Sequence, residues 1–259
     1  MGRECFTIVA AVNDMEVLHK NLFMSQCLKN DDRNQFIIKR NYKSASLAYN
    51  SAIEEAKNDI ILFVHQDVYF PEEWLASLIQ SLSYFEKEKI NWGVLGCFGS
   101  IGIKPEQRGG IGRVYTNGMG FHGREIDKPE PVQTLDEIAL VIRKSSVLRF
   151  DPTLPHFHLY GADICMSAKE KGMNSFAIPG FCIHNTKEIL SLPKEFFECY
   201  QHIKKRWEKY LPIYTSCIEI SRFDGELQLR RIREVYKKIK RKTTIPTYRA
   251  EDPRSLLKL

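Results

Sequence analysis

No apolar run in the chain exceeds five residues, and Ile60–Val64 is one of that length. A helix that crosses a bilayer needs about 20, so a membrane span is excluded. The seven cysteines (5, 27, 97, 165, 182, 199 and 217) are odd in number and include no pair at two-residue spacing. This argues against a disulfide framework and a structural zinc cluster, and is consistent with small buried hydrophobes in a reducing, cytoplasmic setting. Phe6–Val12 is too short and lacks the cleavage site of a secretory leader, and Phe6 stands where an N-myristoylation motif needs Ser or Thr. A strong overall charge is also lacking. Lys and Arg number 38 against 32 Asp and Glu, giving +6, and 222–242 alone carries nine basic and three acidic residues, also +6. The remainder is balanced, which excludes a general nucleic-acid field. Repeats and low-complexity tracts are absent.

What the sequence does have is apolar content for one large core or a core with a small appendage: 259 residues, 43% of them hydrophobic. Phe6–Val12 reads as a buried strand stopped by Asn13-Asp14, with a helix following up to Leu28. Gln35–Lys39 is a second strand, and a helix capped by Ser44 or Ser46 runs to about Lys57. Ile60–Val64 is a third strand, ending at His65-Gln66-Asp67. Pro71, Glu72 and Glu73 open a helix with a Trp74, Leu75, Leu78, Ile79, Leu82 stripe. Gly93–Cys97 and Ile138–Ile142 read as strands, and the glycine-dense stretch between them, up to Gly123, as loops. Gly161–Lys171 is helical, and Phe176–Ile178 is a last short strand before His184. This alternation predicts an α/β fold with a mainly parallel sheet and ligands at the strands' carboxyl ends. After Pro193 the sequence turns helical, charged and aromatic.

Three positions offer chemistry. Asp67 follows a buried strand directly, as a ligand to a cation would, although an Asp there also serves simply to end the strand. Asp163 opens a helix, where a carboxylate is ordinary, or acts as a general base toward a hydroxyl. His184 supplies an imidazole that would complete an oxygen-rich site on Asp67, or is a packed residue. Carboxylate and phosphate oxygens favour Mg²⁺ or Mn²⁺, and one imidazole tilts the choice to Mn²⁺. Gly109-Gly110-Ile111-Gly112 and Gly118-Met119-Gly120 fit a flexible lid better than a phosphate cradle.

Four blocks, IVAAVND (8–14), SLAYNSAIEEAKNDIILFVHQDV (46–68), WGVLGCFGS (92–100) and FDPTLPHFHLYGADICMSAKEKG (150–172) with CIHNT (182–186), occur in this order. Together they resemble the catalytic domain of glycosyltransferase family 2, and within it a subgroup related to a streptomycin-biosynthesis protein. The resemblance implies a GT-A fold over 1–190, with 191–259 as a helical, basic extension. It also implies a UDP- or GDP-type nucleotide-sugar donor, a hydroxyl acceptor, and a divalent cation, Mn²⁺ or Mg²⁺, on the donor's diphosphate. On that likeness Val12, Asn13, Asn41 and Asn50 would shape the nucleotide pocket with His65 and Gln66. Asp67 and His184 would hold the metal, and Asp163 would be the base of an inverting displacement. His158 and Tyr160 would orient the acceptor. His65 departs from the Asp-x-Asp pattern and Ala162 from a common acid, which also admits a non-catalytic sugar-nucleotide or glycan-binding module. The basic stretch Arg230–Lys242 either meets an anionic inner-membrane surface or, through Leu227, Leu229, Ile232, Val235, Tyr236 and Ile239, docks on the catalytic domain.

Overall fold

The computed structural model describes residues 4–102, 110–187, 192–240 and 248–257. The chain runs β1 (Phe6–Ala11), α1 (Met15–Lys20), α2 (Gln26–Lys29), β2 (Gln35–Lys39), α3 (Ala45–Glu55), β3 (Ile60–Val64), β4 (Val68–Tyr69), α4 (Trp74–Lys87) and β5 (Trp92–Gly96). There follow β6 (Phe98–Ser100), β7 (Ile111–Thr116), β8 (Gly120–His122), β9 (Glu130–Val132), β10 (Thr134–Leu135) and β11 (Ala139–Arg143). The last part contains α5 (Tyr160–Glu170), β12 (Asn174–Ala177), β13 (Phe181–His184), α6 (Lys194–Arg206), β14 (Ile213–Tyr214), β15 (Glu219–Ile220) and α7 (Gly225–Lys240).

Seven strands form the main sheet in the order β2-β1-β3-β11-β5-β12-β9. β1, β2, β3, β5 and β12 share one direction, while β11 and β9 run against them. The architecture is therefore α/β with a mixed, largely parallel sheet, as expected. β3 is buried along its whole length, which is why IILFV carries no alternation of polar and apolar residues. Ser44 caps α3, its hydroxyl accepting from the Leu47 N–H at 3.3 Å. α4 buries Trp74, Leu78, Ser81 and Phe85, the face its spacing marks.

Two expectations need correction. The helix proposed up to Leu28 is split into α1, a 3₁₀ turn and α2, because the Asn21 amide turns back to the Val17 carbonyl at 2.8 Å and the chain leaves helical geometry there. The glycine-dense stretch builds β6, β7 and β8 of a second, six-stranded sheet rather than loops. At Gly112 (φ +80°) a Cβ would lie 2.1 Å from the Cys97 carbonyl oxygen, so glycine there allows two strands to meet closely. Gly118 and Gly120 lie at the β7–β8 turn, and Gly109 falls outside the described residues.

α5 lies directly on β5: a Cβ on Gly93 would come within 2.6 Å of the Ala168 Cβ. From the other side α6 closes over α5, and Phe196, Cys199, Tyr200, Ile203 and Trp207 belong to the same apolar cluster as Val9, Phe63 and Ile164. Asp163 is caught in this contact with 0% exposure. Its carboxylate accepts from Trp207 Nε1 at 2.8 Å and from the Asp151 backbone N–H at 3.3 Å, and Arg206 Nε lies 3.2 Å away. Burial raises its pKa, with Arg206 and Trp207 pulling the other way. A base must reach an incoming hydroxyl, and a sealed carboxylate already holding an indole does not. The base role expected of Asp163 is replaced by a structural one, tying α5 to α6.

Gly93→Ala should lower unfolding free energy by roughly 1–3 kcal/mol through overpacking, read as a reduced urea midpoint at unchanged slope. Asp163→Ala should cost about 1–3 kcal/mol by stranding the Trp207 N–H; an unchanged melting curve would contradict the tie.

Candidate active site

Strand pairing assembles the site. β3 ends at Val64, and the polar residues His65, Gln66 and Asp67 follow before β4. β13 pairs antiparallel with β4, His184 opposite Val68, and the Asn185 N–H donates to the Asp67 carbonyl at 2.9 Å. This register carries the His184 ring to Asp67, with Nε2 3.5 Å from Oδ1. His65 completes a group whose three ligand atoms lie within 4.8 Å of one another.

The electrostatics follow from enclosure. Burial alone would raise the Asp67 pKa, but His184, His65 and Arg249 hold it well below the usual carboxylate range. Burial would likewise lower the pKa of His184, yet the facing Asp67 carboxylate raises it. For His65 burial prevails and favours the neutral ring. The Tyr160 hydroxyl lies 2.8 Å from His65 Nε2 and donates to the Glu137 carbonyl at 3.2 Å. The direction of its bond to the ring follows the His65 tautomer, and either way Tyr160 holds the ring through Nε2. A carboxylate and two imidazoles, one of them oriented by a tyrosine, form a donor set suited to a divalent cation.

Two cavities meet at His65. One, of about 430 Å³, is lined by Val12, Asn13, Asn41, Tyr42, Asp67 and Tyr160 among others. The second, of about 640 Å³, is lined by His65, Thr116, Asp136, Glu137, Ile138 and His184 among others. Val12, Asn13, Asn41, His65, Gln66 and Asp67 thus face one space, and Asn41 has φ +63° at its edge. Gln66 shapes the wall as well: its Oε1 accepts from the N–H groups of Asn13 and Asp14, both at 3.1 Å.

Asn50 does not reach the pocket expected of it. Its amide is spent on Phe150, donating to the carbonyl at 2.8 Å and accepting from the N–H at 3.0 Å. His158 packs edge-on against Phe196, centroids 5.6 Å apart, and lines neither cavity. Tyr160 does line the first cavity, beside His65.

Sequence reasoning missed Arg249, whose Nη2 reaches Asp67 Oδ2 at 3.0 Å. Its segment is held by paired hydrogen bonds between Asn185 and Ala250, both 2.8 Å, and by Asn117 donating to the Tyr248 carbonyl at 3.1 Å. Nothing in the local pattern around Arg249 marks this contact. It also missed Asp136 and Glu137, whose signal is an acidic pair directly before the buried run Ile138–Ile142.

A curated relative, ATP synthase subunits region ORF 6 of Fuscovulum blasticum, is 23% identical over 166 residues, 63% of this chain and 66% of that protein, so the chain spans just under two thirds of the relative's length. Among solved structures, Staphylococcus aureus TarS with UDP-GlcNAc has a TM-score of 0.43 and 14% identity, covering 78% of this chain and 66% of that one. The Pyrobaculum calidifontis mannosyltransferase PcManGT with GDP-Man and Mn²⁺ has a TM-score of 0.41 and 10% identity, covering 94% and 66%. The family profile covers residues 7–206, most of the sequence, and the chain accordingly belongs to the Glycosyltransferase like family.

Proposed function

We propose that the chain is an inverting glycosyltransferase of GT-A type that moves a sugar from a nucleotide-sugar donor to a hydroxyl acceptor with a divalent cation. One observation carries this reading beyond family membership: the His65, Asp67, His184 group stands where the two cavities meet. The first cavity would take the nucleoside, against Val12, Asn13 and Asn41. Asp67, His184 and His65 would hold Mn²⁺ in preference to Mg²⁺. When bound, the cation would supply charge stabilisation for the leaving diphosphate. Arg249 beside Asp67 adds a fixed positive charge toward the same phosphates. The second cavity would admit the acceptor, and a single displacement from that side inverts the anomeric carbon.

The sealed Asp163 favours a second reading, a sugar-nucleotide-binding module without turnover. Release of nucleoside diphosphate separates the two.

The extension supports a peripheral membrane contact at a cytoplasmic membrane face. No helix among the described residues is long and apolar enough to cross a membrane. On α7, Leu229, Ile232 and Val235 lie on one face and are each more than half exposed, with Arg233 among them. That combination suits an anionic interface. Arg230 and Arg231 instead turn inward, to the Cys217 carbonyl and the Phe197 ring. Arg241 and Lys242, the end of the basic run, lie outside the described residues.

UDP-GlcNAc or GDP-Man should raise the melting temperature only with Mn²⁺ present, a ligand at 100 times its Kd adding about 2.7 kcal/mol. Asp67→Asn should weaken Mn²⁺ binding at least ~10-fold by calorimetry, and Arg249→Gln should weaken UDP by roughly tenfold or more while sparing uridine. Unchanged affinities would remove these residues from the site. Leu229→Ser with Ile232→Ser should abolish co-sedimentation with phosphatidylglycerol vesicles; sedimentation equal to wild type would dismiss the membrane contact.

A further inference from the structure

With Asp163 enclosed, the acceptor side needs another proton acceptor. We propose that Glu137 is the general base that receives the proton of the incoming hydroxyl, an assignment that rests on the transferase reading above. Glu137 lies between β10 and β11 and lines the second cavity together with His65 and His184. Its backbone carbonyl is bound to the same Tyr160 hydroxyl that holds His65, so one side chain sets both the cation group and the turn that carries the carboxylate.

The carboxylate itself is positioned by α5. Its Oε1 accepts from the Gly161 N–H at 3.2 Å. The place exists because residue 161 is glycine: a Cβ there would sit 3.0 Å from Glu137 Cγ and 2.7 Å from the Leu135 carbonyl oxygen. A larger residue would collide with the Leu135 carbonyl and press on the Glu137 side chain.

The neighbouring carboxylates are otherwise engaged. Asp136, the other acid lining this cavity, folds back on its own turn, its Oδ1 accepting from the Ile138 N–H at 3.0 Å. Asp67 belongs to the cation group. Burial, with Asp136 nearby, pushes the Glu137 carboxyl up to about 8, against the helix N–H donors that lower it. Once ionised, as it is above about pH 8, such a carboxylate is a far stronger proton acceptor than an exposed one. In the step, the acceptor O–H proton passes to a Glu137 oxygen as the O–C1 bond forms. The C1–O bond to the β-phosphate breaks, and its electron pair leaves with the nucleoside diphosphate.

The test uses Glu137→Gln in the full chain, since Gln keeps an oxygen for the Gly161 N–H. Binding of UDP-GlcNAc and GDP-Man is measured by calorimetry, and nucleoside diphosphate release with Mn²⁺ is followed with water as acceptor and with azide, an anion that has no proton to lose. The expected result is donor affinity within about twofold of wild type, water-dependent release reduced 10²–10⁴-fold, and azide-dependent release retained. Release to water equal to wild type overturns the assignment, as does parallel loss of both reactions in a variant with a wild-type urea midpoint. Absence of donor binding by the wild type overturns the transferase reading itself, and binding without release to either acceptor overturns both.

Discussion

The site depends on one pairing, the short antiparallel contact of β13 with β4 that holds His184 against Asp67. Each group is made tenable by the other. A carboxylate with 7% exposure would otherwise surrender its charge, and a buried imidazole its proton. Arg249 takes the remaining Asp67 oxygen, so the carboxylate is ionised and oriented before any ligand arrives. An ionised acid among imidazoles and a guanidinium is pre-organised for a cation and the anion that cation carries.

Around that pairing the sheet divides labour. β1, β2 and β3 end at the wall that holds Asn13, Asn41 and His65, while reversed β11 starts at Ala139, two residues beyond Glu137. The reversal puts an acidic turn at the second cavity, while the Asn13 and Asn41 loops line the first, and gives the cluster two separate approaches. Tyr160, buried at the start of α5, lies between them and is bonded toward both.

Much of this was legible in the residues. The IILFV run ending in His-Gln-Asp announced both a buried strand and a polar strand end, and Ser44 announced a helix start. Both follow from local rules: burial on two faces removes alternation, and a β-region serine accepts a free helix N–H. What failed was whatever depended on distant packing. Asp163 looked like any first-turn acid, and only Trp207, 44 residues later, seals it. Asn50 looked free until Phe150 claimed its amide, 100 residues away. Arg249 is tied to a carboxylate 182 positions before it. Glycines misled in the opposite way: the flexibility they suggest in sequence becomes, at Gly112, room for another group to press close.

The seating of α5 has a mechanical consequence. Zero clearance at Gly93 pins the rod near its far end, at Ala168, and the indole of Trp207 grips it nearer its start, at Asp163, so its first turn has little freedom to wander on its own. The two helices are thereby latched to one another, so a shift of α6 would have to drag the start of α5 with it or break the Trp207–Asp163 bond.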